Sequence, residues 1–208
     1  MIGLSRRQFL TAAVAMGATM STEDRPNWAA ETNVRFDFTR PLDGWETVTG
    51  TWAIEEVPGA SQAGRALVQR ATGNAFNVIV APGGPYADVD VSVRFKPIAG
   101  REDASGGIVF RFSEGRYYVI RANALEDNFN FYYYDHGRHE IAGASVKRPA
   151  LGQWHKLRIT AEGDRITGAL NDQPLIDRRD SRFANGRIGL WTKADSITAF
   201  DDLVVRPL

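Results

Sequence analysis

Asp88-Val89-Asp90-Val91-Ser92-Val93-Arg94-Phe95-Lys96 alternates polar and apolar residues without a fault. Successive side chains of a strand point to opposite faces, so Val89, Val91, Val93 and Phe95 share one face and the polar residues the other. One buried face and one solvated face mark an antiparallel strand. Outward from this stretch, similar segments recur at 36–39, 52–57, 65–69, 76–80, 107–112, 116–123, 128–135, 154–161, 165–171, 186–191 and 197–205. Turn residues separate them at Pro82-Gly83-Gly84-Pro85, Glu114-Gly115, His136-Gly137, Gly163-Asp164 and Asn171-Asp172. No segment after residue 30 carries a helical period longer than about two turns. About a dozen short strands predict two packed antiparallel sheets, an all-β jelly-roll β-sandwich. Without a linker, an internal repeat or a low-complexity tract, the 208 residues divide only into 1–30 and a single domain, 31–208.

The middle of the chain also fixes a register. If Ala124 to Asp127 form the loop between two strands, Arg121 faces Asn130, Val119 faces Tyr132, and Tyr117 faces Tyr134. Tyr118, Ile120 and Ala122 then share the core face with Phe129, Phe131 and Tyr133. A tight turn at His136-Gly137 brings His139 opposite Tyr134, on the polar face. Upstream, pointing Ile108, Phe110 and Phe112 inward sends Arg111 to that same face. The expected surface therefore carries Arg111, Tyr117, Arg121, Asn123, Asn128, Asn130, Tyr132, Tyr134 and His139, with Trp191 and Lys193 at its border. Amide and guanidinium forks suit vicinal hydroxyls, and tyrosine rings suit the C–H face of a sugar. The alternative is an ordinary solvated face, but Asp, Glu and Lys, which dominate such faces, are nearly absent here.

Composition narrows the partners. There are 25 Lys and Arg against 25 Asp and Glu, and no Cys. Neutral balance argues against a nucleic-acid partner, and the missing cysteines exclude disulfides, thiolate metal sites and cysteine nucleophiles. Ser5-Arg6-Arg7-Gln8-Phe9-Leu10, followed by an apolar run to Met20, looks like a twin-arginine export signal. That run is too short to span a bilayer, which takes about 20 residues. The expected location is periplasmic or extracellular, with cleavage between Ser21 and Glu31 and no stable membrane insertion afterwards. The oligomeric state stays open.

A family resemblance rests on Phe36-Asp37-Phe38, Gly44-Trp45, Gly50-Thr51-Trp52, Ser105 to Arg111, Trp154 to Arg158, Gly186 to Thr192 and Phe200-Asp201-Asp202-Leu203. In this order they resemble the concanavalin A-like lectin/glucanase domains, and among them the bacterial 3-keto-disaccharide hydrolase domain family, which is family 16 glycoside hydrolase-like. The resemblance implies a concave sheet face for saccharides. The E-x-D-x-x-E pair of true family 16 glucanases is missing, so double-displacement hydrolysis lacks its carboxylates. A 3-keto-glycoside offers another route, proton abstraction beside the ketone followed by elimination. In that scheme His139 is the base, Arg111 or Arg121 the electrostatic partner, and Tyr134 or Tyr117 the proton donor. Asp201-Asp202 resembles the place where many jelly rolls hold a structural calcium. His136 and His139 have an H-x-x-H spacing, but a tight turn between them does not make them converge. Two readings remain: a glycoside-recognising protein that cleaves 3-keto-glycosides, or a non-catalytic lectin-like or laminin G-like module binding a glycan or a protein.

Overall fold

The computed structural model describes residues 33–208, so the arginine-pair segment lies outside the described residues. The stretch quoted above becomes the strand β6 (Val89–Ala99), whose alternate residues are buried as their spacing requires. It is central in the first sheet, which runs β13 (Gln173–Arg179), β12 (Arg165–Leu170), β11 (His155–Glu162), β6, β15 (Ile197–Pro207), β4 (Arg65–Gln69), β3 (Trp52–Glu56). A short β1 (Val34–Phe36) also pairs with β15. The second sheet runs β10 (Arg138–Ser145), β9 (Asn128–Tyr134), β8 (Arg116–Asn123), β7 (Ser105–Ser113), β14 (Arg187–Lys193), β5 (Phe76–Val80), β2 (Glu46–Thr49). All pairings are antiparallel, and no helix forms among the described residues.

The core fills the space between the sheets. Val91, Val93, Phe95, Ile159 and Phe200 of the first sheet meet Ile108, Phe110, Tyr118, Ile120, Phe129 and Phe131 of the second. Each such side chain contributes about 1.5–3 kcal/mol by leaving water. The rings interlock as well: Phe110 stacks on Tyr118 at 5.2 Å and on Phe131 at 6.0 Å between centroids. Strands β2, β10 and β13 fall outside the periodic segments of the sequence, and all three lie at sheet edges. An edge strand has one neighbour and is kept from pairing with another chain by charge, Gly or Pro, which erases the alternation. Pro174 in β13, Gly143 in β10 and Glu46 in the exposed β2 fit that account.

Curvature decides what the second sheet offers on its outer, concave face. Four strands separate β10 from β5. Five spacings of about 4.8 Å would put the two about 24 Å apart along a flat sheet. Yet the Arg138 guanidinium of β10 lies 5.8 Å from the Phe76 ring of β5, and Tyr134 of β9 touches the same ring edge-on at 5.0 Å. The sheet is coiled tightly enough for side chains from its two flanks to meet over the middle.

Candidate functional site

The hairpin of β8 and β9 has the register its sequence predicts: Arg121 pairs with Asn130, Val119 with Tyr132, and Tyr117 with Tyr134. Burial of the alternate row, Tyr118, Ile120, Phe129 and Phe131, enforces it, because a slip by one residue would exchange the two rows. The concave face thereby receives Tyr117, Arg121, Asn128, Asn130, Tyr132 and Tyr134, and β14 adds Trp191 and Lys193. Gly107 stands between Arg121 and Trp191 in the sheet. A Cβ there would lie 3.0 Å from that of Arg121, so the bare glycine is what lets the arginine lie against the sheet.

At one end of the face the groups are polar. Arg121 is almost fully buried, and its guanidinium donates to Asn128 Oδ1, to Glu126 Oε2 at 3.1 Å and to the Tyr132 hydroxyl at 3.2 Å. Asn128 donates to Glu126 at 2.9 Å and Asn130 donates to the Tyr132 hydroxyl at 2.5 Å. That hydroxyl thus accepts two hydrogen bonds and keeps its own proton to give. Arg121 Nε is buried without a partner. Lys193 donates to the wholly buried Asp103 at 3.1 Å. Burial raises the Glu126 pKa, but the Asn128 hydrogen bond, the Arg121 charge and hydrogen bond, and the Lys193 charge together leave it below the ordinary glutamate value. Its side chain is 41% exposed, an ionised carboxylate open to the groove beside two cations. Glu140 comes near from β10: a Cβ on Gly143 would lie 2.9 Å from Asn130 Oδ1 and 3.5 Å from Glu140 Oε1.

At the other end the face is aromatic and closed. Tyr117 and Tyr134 stack at 4.5 Å, and Phe76 stacks on Trp191 at 5.7 Å. Arg138 lies over both Tyr132, at 4.9 Å, and Phe76. Burial pushes the Tyr117 and Tyr134 pKa values well above the ordinary phenol value. The Trp191 N–H faces these hydroxyls, but Trp191 Nε1 and Tyr134 Oη are buried and neither makes a hydrogen bond of acceptable geometry. The expected tyrosine platforms are therefore packed against one another, and Trp191 is floor rather than border.

Several expected members of the face sit elsewhere. His139 pairs with Tyr133 and not Tyr134, because the connection spans Asp135 to Gly137 and starts the ladder at Arg138. Its imidazole stacks on the Tyr133 ring at 4.6 Å, on the side turned away from Tyr134, so it is not a base for this groove. Arg111 is displaced by a β-bulge between Phe110 and Ser113, where its own φ is +52°. Its side chain enters the end of the sandwich and donates to the carbonyls of Phe183, Ala87 and Gly163. The bulge sends Phe112 to the concave face in its place, stacked on Tyr117 at 5.8 Å. Asn123 lies below the groove: it donates to Asp103 and accepts from the Ala104 and Leu125 amides, which locks the β8–β9 loop.

The Asp201-Asp202 pair does not fit a calcium ion. Asp201 Oδ2 accepts from Arg94 and from the Ser61 amide, both at 2.7 Å, and the Arg35 Nε lies 2.5 Å from Asp202 Oδ1. The buried oxygens left without a hydrogen bond are Asp201 Oδ1 and Asp202 Oδ1, the latter already facing Arg35, whereas calcium takes 6–8 oxygens. Among the described residues no three His, Cys, Asp or Glu side chains come together as metal ligands.

Glu126, Glu140, Asp103, Phe76 and Arg138 join the face without a sequence signal. Glu126 and Asp103 each stand in an acidic pair that reads as solvated loop charge. Only the position of Glu126, two residues before a predicted strand carrying Asn128 and Asn130, hinted at it.

Two packed antiparallel sheets, one carrying a concave face with a charged and amide-rich end, define a concanavalin A-like jelly-roll sandwich. The chain belongs to the 3-keto-alpha-glucoside-1,2-lyase-like domain family, whose model matches residues 34–206. It is 28% identical over 158 residues to a levanase of Bacillus subtilis, a match covering 74% of this chain and 21% of the levanase. The chain thus spans about a fifth of that relative's length. Among solved structures it resembles the carbohydrate binding module CBM66 from Bacillus subtilis, with 25% identity, a TM-score of 0.68, and coverage of 79% of this chain and 96% of that one. A Bacillus subtilis protein with a galectin-like fold shares the architecture at 14% identity and a TM-score of 0.64, over 83% of this chain and 94% of the other.

Proposed function

We propose that this protein binds a glycan at the polar end of its concave face, with Arg121, Glu126, Asn128 and Asn130 as the recognising groups. The observation that carries the reading is the buried, hydrogen-bonded Arg121 that holds an exposed carboxylate and an amide in fixed positions. Such fixed groups match a sugar's vicinal hydroxyls with little ordering cost on binding. Likeness to a carbohydrate-binding module supports it. Levan, from the relative's name, and 3-keto-glucosides, from the family's description, are the first ligands to try. Titration calorimetry with both is the test: saturable heat, with binding weakened in Asn130→Ala and Glu126→Gln, is expected, and binding unchanged in both variants overturns the site. The Ser5–Leu10 segment supports export, and Arg6→Lys with Arg7→Lys would then leave the protein in the cytoplasm.

A second reading, cleavage of 3-keto-glycosides, is favoured by the ionised Glu126 beside Arg121 and Lys193. Here Glu126 takes the C2 proton, the two cations hold the developing enolate oxygen, and the electron pair returns to expel the C1 oxygen, leaving a C1=C2 double bond. The departing oxygen takes the proton that Glu126 removed from C2, which restores the carboxylate. An NMR time course with 3-keto-trehalose decides it. Loss of the anomeric signals, absent in Glu126→Gln, is the expected result, and an unchanged spectrum leaves binding alone.

A further inference from the structure

One buried carboxylate beneath the concave face has no part in the readings above. Asp103 lies in the loop between β6 and β7 and is wholly buried. Its Oδ2 accepts from Asn123 at 3.0 Å and from Lys193 at 3.1 Å. Its Oδ1 shares the Ser196 hydroxyl proton, at 3.1 Å, with the Lys193 carbonyl. The loop itself is pinned from below: Asp195, in the turn after β14, accepts from the amides of Arg101, Glu102 and Asp103 at 2.7, 3.0 and 3.0 Å. Stability alone gives no reason to keep such a group, since desolvating a buried ion pair offsets most of its attraction and apolar replacements are often as stable. What the carboxylate does provide is a fixed point between two strands. Asn123 ends β8 and Lys193 ends β14, on either side of β7.

Both strand ends reach the polar end of the groove. From Asn123 the path runs to the Leu125 amide, which donates to Asn123 Oδ1 at 2.9 Å, and Leu125 precedes Glu126 in the loop. From Lys193 it is direct, because the ammonium stands close enough for its charge to act on Glu126. We propose that Asp103 is the positioning residue of the glycan site: it touches no ligand, and it holds the Lys193 ammonium on one flank and the Glu126 loop on the other in the places where a sugar meets them. This role rests on the glycan-binding reading above and deepens it. Lys193 becomes a recognising group beside Arg121 and Glu126, a donor set in place before the ligand arrives, so that little ordering remains to be done on binding.

The test uses the full chain labelled with 15N. With four lysines in the sequence, the ammonium signals are few. Lys193 should give an Nζ–H signal protected from exchange with water, assigned by its absence in Lys193→Arg. Asp103→Asn should abolish that signal and speed exchange of the Leu125 amide about 10-fold or more. In calorimetry with levan, Asp103→Asn and Lys193→Met should each bind about 10-fold more weakly, through the loss of a fixed, charged hydrogen bond. The double variant should bind no more weakly than Asp103→Asn, because the two changes remove one interaction. Ile159→Val, a core change in the first sheet, is the control for stability: it should lower the melting temperature and leave levan affinity unchanged. If Asp103→Asn does not fold, Asn123→Ser takes its place, and should free the Leu125 amide and weaken levan binding while Lys193 stays protected. A Lys193 signal and Leu125 exchange that Asp103→Asn leaves unchanged, or affinity losses that multiply in the double variant, overturn the role and leave the glycan site standing. If the wild type binds neither levan nor 3-keto-trehalose, the glycan reading falls and this role falls with it.

Discussion

Arg121 and Glu126 divide two tasks that neighbouring residues often share. The guanidinium is buried and holds the site together, while the carboxylate stands exposed, where the proposed glycan would meet it. Arg121→Ala is expected to lose about 2–4 kcal/mol of stability, because the Tyr132 hydroxyl and Asn128 carbonyl lose a charged donor in a buried place. Glu126→Gln keeps the shape, changes stability by less than about 1 kcal/mol, and weakens glycan binding about 10-fold through the loss of a charged hydrogen bond. Thermal melts and calorimetry on the pair separate the two roles. Acid gives a further check. With its pKa below the ordinary glutamate value of 4.5, Glu126 stays ionised at and above that pH. Binding should therefore hold steady from neutrality to about pH 5 and fall only below the ordinary glutamate range. An affinity that drops between pH 7 and 6 would assign the carboxylate no part in it. Arg121 was legible in the sequence because register alone places it; Glu126 was not, because a loop carboxylate has no period to read.

Among the elements, the hairpin of β7 and β8 carries the largest departure from simple alternation. The bulge at Arg111 turns one side chain inward and the next outward, and Gly186 on the neighbouring loop makes room for it. A Cβ on Gly186 would lie 2.3 Å from the Arg111 carbonyl carbon and 2.6 Å from the Phe112 nitrogen. Gly186→Ala is expected to lose about 4 kcal/mol or more, since backbone cannot yield as a side-chain tip can. Arg111→Ala should cost about 3 kcal/mol by stranding three carbonyls, without altering glycan affinity, because the guanidinium lies away from the groove. Urea titrations with a binding assay on each variant check both. The tyrosine pair on β8 and β9 predicts an alkaline limit. Folded pKa values above the unfolded value of 10.0 mean that the neutral phenols favour the native state. That stability is complete below pH 10 and drains as pH rises beyond it, so the melting temperature should fall above about pH 10, less steeply in Tyr134→Phe. A flat profile to pH 11.5 would show these phenols to be exposed.

On the scale of the whole molecule, one core serves both sheets, so neither sheet unfolds by itself. Phe110→Ala, cut from between Tyr118 and Phe131, should lose about 3–5 kcal/mol, with near- and far-ultraviolet signals still falling together. Separate transitions would mean that the sheets are independent. The abundance of pairings between distant strands, such as β6 with β15 and β7 with β14, predicts folding in milliseconds to seconds. Coiling of the second sheet is also a property of this scale. It closes one half of the groove with aromatic rings and leaves the other half polar, a division that no single strand contains.

By itself the sequence determined what covalent geometry makes local. The alternation of 88–96 and its relatives is a consequence of the strand's period of two, and it set the class of fold. A four-residue loop fixed which residues of β8 and β9 face each other, and so named most of the polar face. Tertiary structure alone decided where Arg111 and His139 point, because a bulge and a turn lengthened by one residue each invert a strand's faces without a trace in composition. Tertiary structure also decided that Tyr117, Tyr132 and Tyr134 are packed rather than presented. Whether a ring on a sheet meets solvent or another ring depends on the curvature of the whole sheet, a sum of small twists over strands far apart in the chain.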